Sequence, residues 1–487
     1  MRELQADVAV VALGVAGLAA AITAAEQGLS VAAFEKANIA GGTANIAVGP
    51  FAVESHLQKE NMFTLTKEEA LKVMMDYTHW AVDARLIREY FWKSADTIDW
   101  LEDMGVQFEI PCRYYPSSYY TWHRVKPDDG GPVGARTAAF LTKHMAERAE
   151  DLGVDIHLET PVTKILREDG RITGVLARGK DGEEILCRAP IVIVCTGGIG
   201  DSPEMMKTYT GYTYGEDMFN FRVPGLVGDG MKMAWEVGAA RSDITMERFV
   251  GTALPHPECV SVNVLALQPH MIVNLAGERF FDEGLIENPA VALNAVDRQT
   301  KRRAFVLFSE EILREYRRSG VDYPFTVRPG DHTRTFAEQA EAALRECPDQ
   351  ICISDDLREV ADNFGIDYDT LCATVEEYNQ MCEEKYDGYF NKNRKFMRPV
   401  RGKYIMIKLS GRAYGSLGGI KINYKTQVLD HDDRPIPGLY SAGTDACDIY
   451  KGTYLYLLPG NTMGFAINTG RIAGERAAEY LDSLPTG

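Results

Sequence analysis

The sequence predicts an α/β fold built on a parallel sheet and interrupted by a long insertion, and three observations predict it. An apolar strand, a small-residue helix and a second apolar strand follow one another over residues 8–35. Glycine-rich turns of the kind that follow parallel strands recur near both ends of the chain. The 487 residues amount to about three domain-equivalents at roughly 150 residues each, and 45% apolar with 25% charged residues is the make-up of a folded globular chain.

The elements justify this in order. Val8 to Ala25 carries no charged residue, yet it reads neither as an export signal nor as a membrane span. Arg2 is opposed by Glu3 and Asp7, and Gly14, Gly17 and many alanines make a weak spanning helix. Val8 to Val11 reads as a buried parallel strand, Leu18 to Gln27 as a helix closed by Gly28, and Ser30 to Phe34 as the next strand. The turn between them, Ala12-x-Gly14-x-x-Gly17, is the dinucleotide fingerprint with Ala in the first place. Gly14 lets the backbone approach a pyrophosphate, Gly17 lets the helix pack against the strand, and the helix N-terminus offers N–H groups to phosphate. Glu35, 18 residues after Gly17, stands where an acid accepts from ribose hydroxyls.

Gly41-Gly42-Thr43-Ala44-Asn45 follows directly. Further on come Thr160-Pro-Val162 in an expected strand, Val192 to Thr196-Gly197-Gly198, and Gly225-Leu-Val-Gly228-Asp229-Gly230. The far end holds Gly438 to Gly443, Pro459-Gly460-Asn461-Thr462-Met-Gly464, and a last helix expected over Thr462 to Tyr480. Nucleotide-type turns at both ends mean that the stretch between is inserted into one cofactor domain.

Charge and cysteine narrow the partners. With 52 Lys+Arg against 70 Asp+Glu, the net charge of −18 argues against nucleic acid and anionic lipid. The short basic runs Lys301 to Arg303 and Lys392 to Arg401 read as solvated helix faces. Nine cysteines share no metal-binding spacing and there is no H-E-x-x-H, so no metal site is expected. Free thiols suit a reducing compartment, and a cytoplasmic location is expected.

Together these segments resemble the fumarate reductase/succinate dehydrogenase flavoprotein family, with its relatives that act on 3-ketosteroids. Asn274-Leu-Ala-Gly277-Glu-Arg279-Phe280 and Tyr378-Asn379 through Asp387 to Phe390 belong to the likeness. The resemblance implies a glutathione-reductase-like, Rossmann-type FAD-binding domain over 1–245 and 412–487, with an inserted α+β capping domain over 246–411. It assigns FAD contacts to Gly14, Ala16, Gly17, Glu35, Lys36, Gly42 and Thr43 in the first part. Val162, Thr196, Gly197, Asp229 and Gly443 follow, with Asn461 and Thr462 at the start of the last helix. No histidine stands beside Gly41-Gly42-Thr43 before His56, so the FAD is expected to be non-covalent.

The departures bear on the substrate. Dicarboxylate reduction in the family uses cationic side chains, and their expected places fall on Glu287, Gly415 and Leu457, with no H-P-T at Met246 to Gly251. An anionic C4 substrate would enter without charge partners, which is costly. Tyr456 and Gly460 instead match the ketosteroid dehydrogenase pattern, in which a Tyr hydroxyl and a Gly N–H hold the substrate ketone. The loop Tyr114-Tyr115-Pro-Ser-Ser-Tyr119-Tyr120-Thr-Trp122-His123-Arg124 reads either as a substrate wall with a proton donor among Tyr119, Tyr120, His123 and Arg124, or as an aromatic patch that pins a loop. Arg279 and Arg412 are further candidate acids.

The expected activity is an FAD-dependent oxidoreductase that moves a hydride between flavin N5 and a carbonyl-activated carbon–carbon bond. Reduction of an α,β-unsaturated carbonyl compound is favoured, including aromatic or steroid-like enones. The alternatives are a desaturating dehydrogenase of the ketosteroid type, a reductase of an unsaturated carboxylic acid, and, in another class, a flavin-binding electron-transfer subunit. No second dinucleotide fingerprint and no haem or iron–sulfur motif is present, so a separate electron donor or acceptor protein is expected.

Overall fold

The computed structural model describes residues 2–255, 258–324, 326–327 and 330–484. Its contacts divide the chain into two compact units, the first made of Met1–Gly211, Arg222–Met246 and Gly415–Gly487, the second of Tyr212–Phe221 and Glu247–Tyr414. No helix among the described residues is long and apolar enough to cross a membrane.

The first unit is organised by a six-stranded sheet in the order Gln427–Leu429, Pro435–Ser441, Ile191–Val194, Val8–Val11, Val31–Phe34, Asp155–His157. Every pairing is parallel except that of Gln427–Leu429 with Pro435–Ser441. Val8–Val11, Val31–Phe34 and Ile191–Val194 are buried throughout, as strands covered on both faces must be. The first helix runs Val15–Glu26, three residues earlier than expected, because Gly14 is extended and the fingerprint residues themselves form its first turn. The last helix, Asn461–Ser483, is also longer than expected at both ends. The two helices approach so closely that a Cβ on Gly470 would lie 2.3 Å from the Ala16 carbonyl oxygen, and one on Gly474 would lie 2.8 Å from that of Ala20. A second sheet, in the order Arg2–Gln5, Glu184–Arg188, Arg171–Arg178, Val162–Glu168, completes this unit.

The second unit is built around the strand Tyr404–Leu417. It pairs antiparallel with Ala304–Ser309 and Ile351–Ser354, parallel with Met218–Asn220, and also with Thr245–Gly251. The helices His332–Glu346, Leu357–Phe364 and Tyr368–Glu384 close a core centred on Phe305 to Phe308 and Ile405 to Ile407. Tyr212–Phe221 lies within the residues expected for the first domain, yet it packs here because Met218–Asn220 adds to the edge of Gly411–Ala413.

Candidate functional site

The turn after the first strand is shaped by backbone approach. A Cβ on Gly17 would sit 1.9 Å from the Ala12 carbonyl oxygen, so only glycine lets the helix rest there. Ala12 itself has φ +75°, the left-handed backbone that a glycine adopts without strain. Space beside Gly14 is open to 4 Å, while a Cβ on Gly42 would come within 3.3 Å of the Gly14 Cα. Gly41 N–H donates to the Leu13 carbonyl at 2.7 Å and ties the second glycine turn, which continues through Thr43, to the first. Glu35 is buried and accepts from the Leu13 N–H and the Ala37 N–H, both at 2.8 Å, so its carboxylate is oriented by the backbone.

Further side chains expected to meet the cofactor find partners within the unit. Lys36 Nζ pairs with Asp229 at 2.6 Å and also donates to the Gly225 carbonyl. Thr196 and Gly197 donate their N–H groups to Asp445, which takes the Thr196 hydroxyl at 2.9 Å and the Gly198 N–H at 2.8 Å as well. Burial pushes the Asp445 carboxyl up, against these four donors. The Thr196 and Gly197 amides therefore face Asp445. Gly443 N–H donates to the Thr469 hydroxyl at 3.1 Å, Ala16 is buried beneath Gly443, and Val162 opens its strand as a buried residue.

The last helix begins at Gly460, whose φ of +83° is left-handed and whose added Cβ would meet Phe51 N, Pro50 C and Trp122 Cδ1 at 2.7 Å. No side chain caps this helix. Asn461 is fully buried; its Oδ1 accepts from Tyr450 and its carbonyl from Tyr90, both at 2.9 Å, while Nδ2 has no partner among the described residues. Thr462 follows in the same first turn. The segment before it is strapped at four points. Tyr77 O–H donates to Tyr454 O, Tyr119 N–H to Leu457 O, Thr121 O–H to Pro459 O, and Phe51 N–H to Gly460 O, at 2.8 to 3.1 Å. Tyr456 is buried within this strapped segment, its ring 4.6 Å from Tyr114 and 4.7 Å from Tyr454.

The tyrosine-rich loop is thus brought onto the 454–460 segment. Tyr120 stacks on Phe63 at 4.2 Å with Arg113 over its ring, and it is half-buried. His123 is fully buried. Its Nδ1 faces the Thr121 carbonyl at 3.1 Å, so it donates there, and Nε2 takes the Ser55 hydroxyl at 2.7 Å. Burial pulls its pKa down to about 3. A histidine that stays neutral behind the loop donates no proton, so His123 leaves the set of candidate donors. Arg124 is paired with Glu109 at 2.5 Å.

Arg279 also requires correction as a candidate acid. In the second unit it grips Glu283 through Nε and Nη2 at 2.7 and 2.8 Å and reaches Asp387 at 2.8 Å, with Tyr378 and Phe390 against its faces. Burial lowers its pKa, but the two carboxylates more than reverse this, so it holds its proton. Lys392, expected on a solvated helix face, is instead buried 3.3 Å from Glu283 and completes an internal ion cluster, so that expectation is corrected. Asp445 and this cluster were missed by sequence reasoning. The only local hint was an acid just after the glycine of Ser441-Ala442-Gly443.

Three helices of the first unit, Val15–Glu26, Asp229–Glu236 and Asn461–Ser483, begin at Gly14, Gly228 and Gly460 with no side-chain cap. In the second of them the Gly230 N–H already donates to the Thr196 hydroxyl at 3.1 Å, while the first N–H groups of the other two and Asn461 Nδ2 are donors suited to phosphate and carbonyl oxygens.

The FAD binding domain family model matches residues 7–463. The vinyl phenol reductase of Lactiplantibacillus plantarum is 31% identical over 487 residues, spanning 97% of this chain and 96% of that protein. The urocanate reductase of Eggerthella lenta is 28% identical over 492 residues, spanning 97% and 74%. Among solved structures, the 3-ketosteroid delta1-dehydrogenase from Sterolibacterium denitrificans in complex with 1,4-androstadiene-3,17-dione superposes with a TM-score of 0.79 at 19% identity, covering 98% of this chain and 99% of that one. At that identity the likeness speaks for the fold alone.

Proposed function

For a chain that belongs to the FAD binding domain family and takes FAD as its cofactor, we propose reduction of a carbon–carbon double bond conjugated to a carbonyl or to an oxygen-bearing aromatic ring. The observation that carries this is Tyr456, buried among Tyr114 and Tyr454 on the strapped segment that ends at Gly460. FAD, when bound, supplies the hydride. The glycine turns at 14–17 and 41–43 and Glu35 hold its adenosine diphosphate, and the first turn of the last helix with Asn461 Nδ2 holds the carbonyl edge of its ring system. His56 has one nitrogen 2.9 Å from Asp99 and the other 3.3 Å from Glu102, which supports non-covalent attachment.

The remaining roles fall to this chain. The Tyr456 hydroxyl and the Gly460 N–H take the substrate oxygen as two neutral donors. Where it is a conjugated carbonyl they stabilise the negative charge that gathers on it as hydride adds to the double bond, and where it is a ring hydroxyl they position the substrate. The surrounding rings keep water out, so each hydrogen bond counts for more than it would in solvent. Four backbone straps hold both donors in place before substrate arrives. Tyr120, at the rim of the same loop, is the proposed proton donor. Relatives named for vinyl phenol and urocanate, both unsaturated compounds, support reduction rather than desaturation. A separate protein or diffusible donor supplies electrons, and a cytoplasmic location belongs to the same reading.

Anaerobic stopped-flow tests it. Protein with photoreduced flavin is mixed with benzylideneacetone, 4-vinylphenol and a steroid enone, and flavin reoxidation is followed. At least one is expected to reoxidise the flavin, and no reoxidation by any of them overturns the reading. Tyr456→Phe is expected to slow that step by about 10²-fold, the usual scale for one oxyanion-hole donor, at unchanged flavin content.

A further inference from the structure

Several half-buried arginines of the second unit have carboxylate partners. Arg248 pairs with Asp297, Arg279 with Glu283 and Asp387, and Arg398 with Asp322 and Glu315. Arg412 has no ion pair among the described residues. Its Nη1 donates to the Thr252 carbonyl at 2.6 Å, and its Nε is buried with no acceptor. Burial pulls this guanidinium below its ordinary range, with no carboxylate to restore it. A desolvated charge and a desolvated donor on one side chain are unfavourable unless something supplies both an anion and an acceptor.

The geometry says what that is. With Nη1 occupied, the Nε–Nη2 edge is left, the same edge by which Arg279 holds both oxygens of Glu283. That edge fits a carboxylate. Beside it stands an aromatic stack. Arg412 lies over Phe221 at 5.1 Å, Phe221 stacks on Tyr414 at 5.5 Å, and Tyr414 stacks on Phe249 at 4.7 Å. All three rings and Arg412 are half-buried, so the stack keeps a face open. The local sequence explains it: Arg412 and Tyr414 are two apart on one strand and share a face, and Gly251 leaves room for the arginine stem, since a Cβ there would come 2.8 Å from Arg412 Cδ.

We propose that Arg412 with Phe221, Tyr414 and Phe249 forms a recognition site for an aromatic carboxylate, the guanidinium edge taking the carboxylate and the rings taking the aryl group. The site is separate from the argument for Tyr456 and stands whether or not its ligand is reduced.

Binding to the flavin-loaded protein, followed by calorimetry, tests this with 3-phenylpropanoate, a side-chain-saturated acid with no conjugated double bond to reduce. Its amide, 3-phenylpropanamide, keeps the ring and loses the charge, and succinate keeps the charge and loses the ring. The acid is expected to bind at one site, with amide and succinate each weaker by about tenfold or more, the scale of one lost charge-assisted contact or one lost ring. Arg412→Gln is expected to weaken the acid about tenfold and leave the amide unchanged, and Arg412→Lys to fall between. Equal binding of acid and amide to the unaltered protein overturns the proposal without any variant, and so does undiminished binding of the acid by a folded Arg412→Gln. Absence of turnover with enones bears only on the reading above.

Discussion

The helix starts of the two units are built differently. In the second unit Asp331, Asp356 and Asp367 cap the helices His332–Glu346, Leu357–Phe364 and Tyr368–Glu384, and Asn288 caps Pro289–Asp297. In the first unit the helices that start at Gly14, Gly228 and Gly460 have no side-chain cap. This is not a habit of that unit, because Ser55, Thr66, Asp83 and Ser202 cap other helices there. A helix leaves its first N–H groups without internal acceptors. These four helices of the second unit meet that need with their own side chains, although Val260–Ala266 and Glu310–Ser319 there do not. In the first unit these uncapped starts fall at glycine turns, where no Cβ stands in the way of a close approach.

The second unit keeps Arg279, Glu283, Lys392 and Asp387 together as ions. Burial pushes Asp387 up, but Arg279 outweighs it and holds the carboxyl at about 2. The first unit buries His123 neutral, hydrogen-bonded on both nitrogens.

The largest expected effect attacks the glycine starts. Gly17→Ala places a methyl 1.9 Å from the Ala12 carbonyl oxygen and must push strand and helix apart. Loss of most bound flavin and a destabilisation of about 3 kcal/mol are expected, read by flavin absorbance per protein and by urea unfolding. Full flavin content in that variant would break the link between close packing and the cofactor.

Acid stability sharpens the contrast next. His123 has a folded pKa of about 3 against about 6.5 unfolded, so it contributes stability at neutral pH that is lost as pH falls below about 6.5, and the loss levels off near 3. Asp387 contributes stability that is lost only as pH falls from about 4 towards 2. Between pH 6 and 4 the unfolding free energy is expected to carry a slope from His123 of up to about 1.4 kcal/mol per pH unit. His123→Gln should remove that slope, and unchanged slopes would contradict the neutral, buried histidine. The smallest effect is Asp367→Ala, which removes the cap that accepts from Thr370 N–H. A cost of about 1 kcal/mol with flavin content untouched is expected, whereas flavin loss would erase the distinction between the units.

The flavoprotein family was legible from the sequence because its signals are local. A strand of four apolar residues, glycines three apart and an acid at the next strand's end lie within residues 8–35, and the structure places strand, turn, helix and Glu35 in that order. The Tyr456–Gly460 spacing is equally local. What the contacts add lies far apart in the chain. Thr196 meets Asp445 across 249 positions, Lys36 meets Asp229 across 193, and Arg279 meets Asp387 across 108.

By itself, then, the sequence determined the fold class, the cofactor family and the segments that carry them, since backbone conformation, strand burial and helix starts depend on neighbours a few residues away. Only the tertiary structure decided which polar groups are already taken. Arg279 and His123, both plausible acids on paper, are enclosed by Glu283 and Asp387 in one case and by Ser55 and Thr121 in the other. Arg412, with the same side chain as Arg279, is left without a carboxylate among the described residues. Whether a charge binds a ligand or holds the fold depends on what chain folding brings to within about 3 Å of it, and no spacing along the sequence records that.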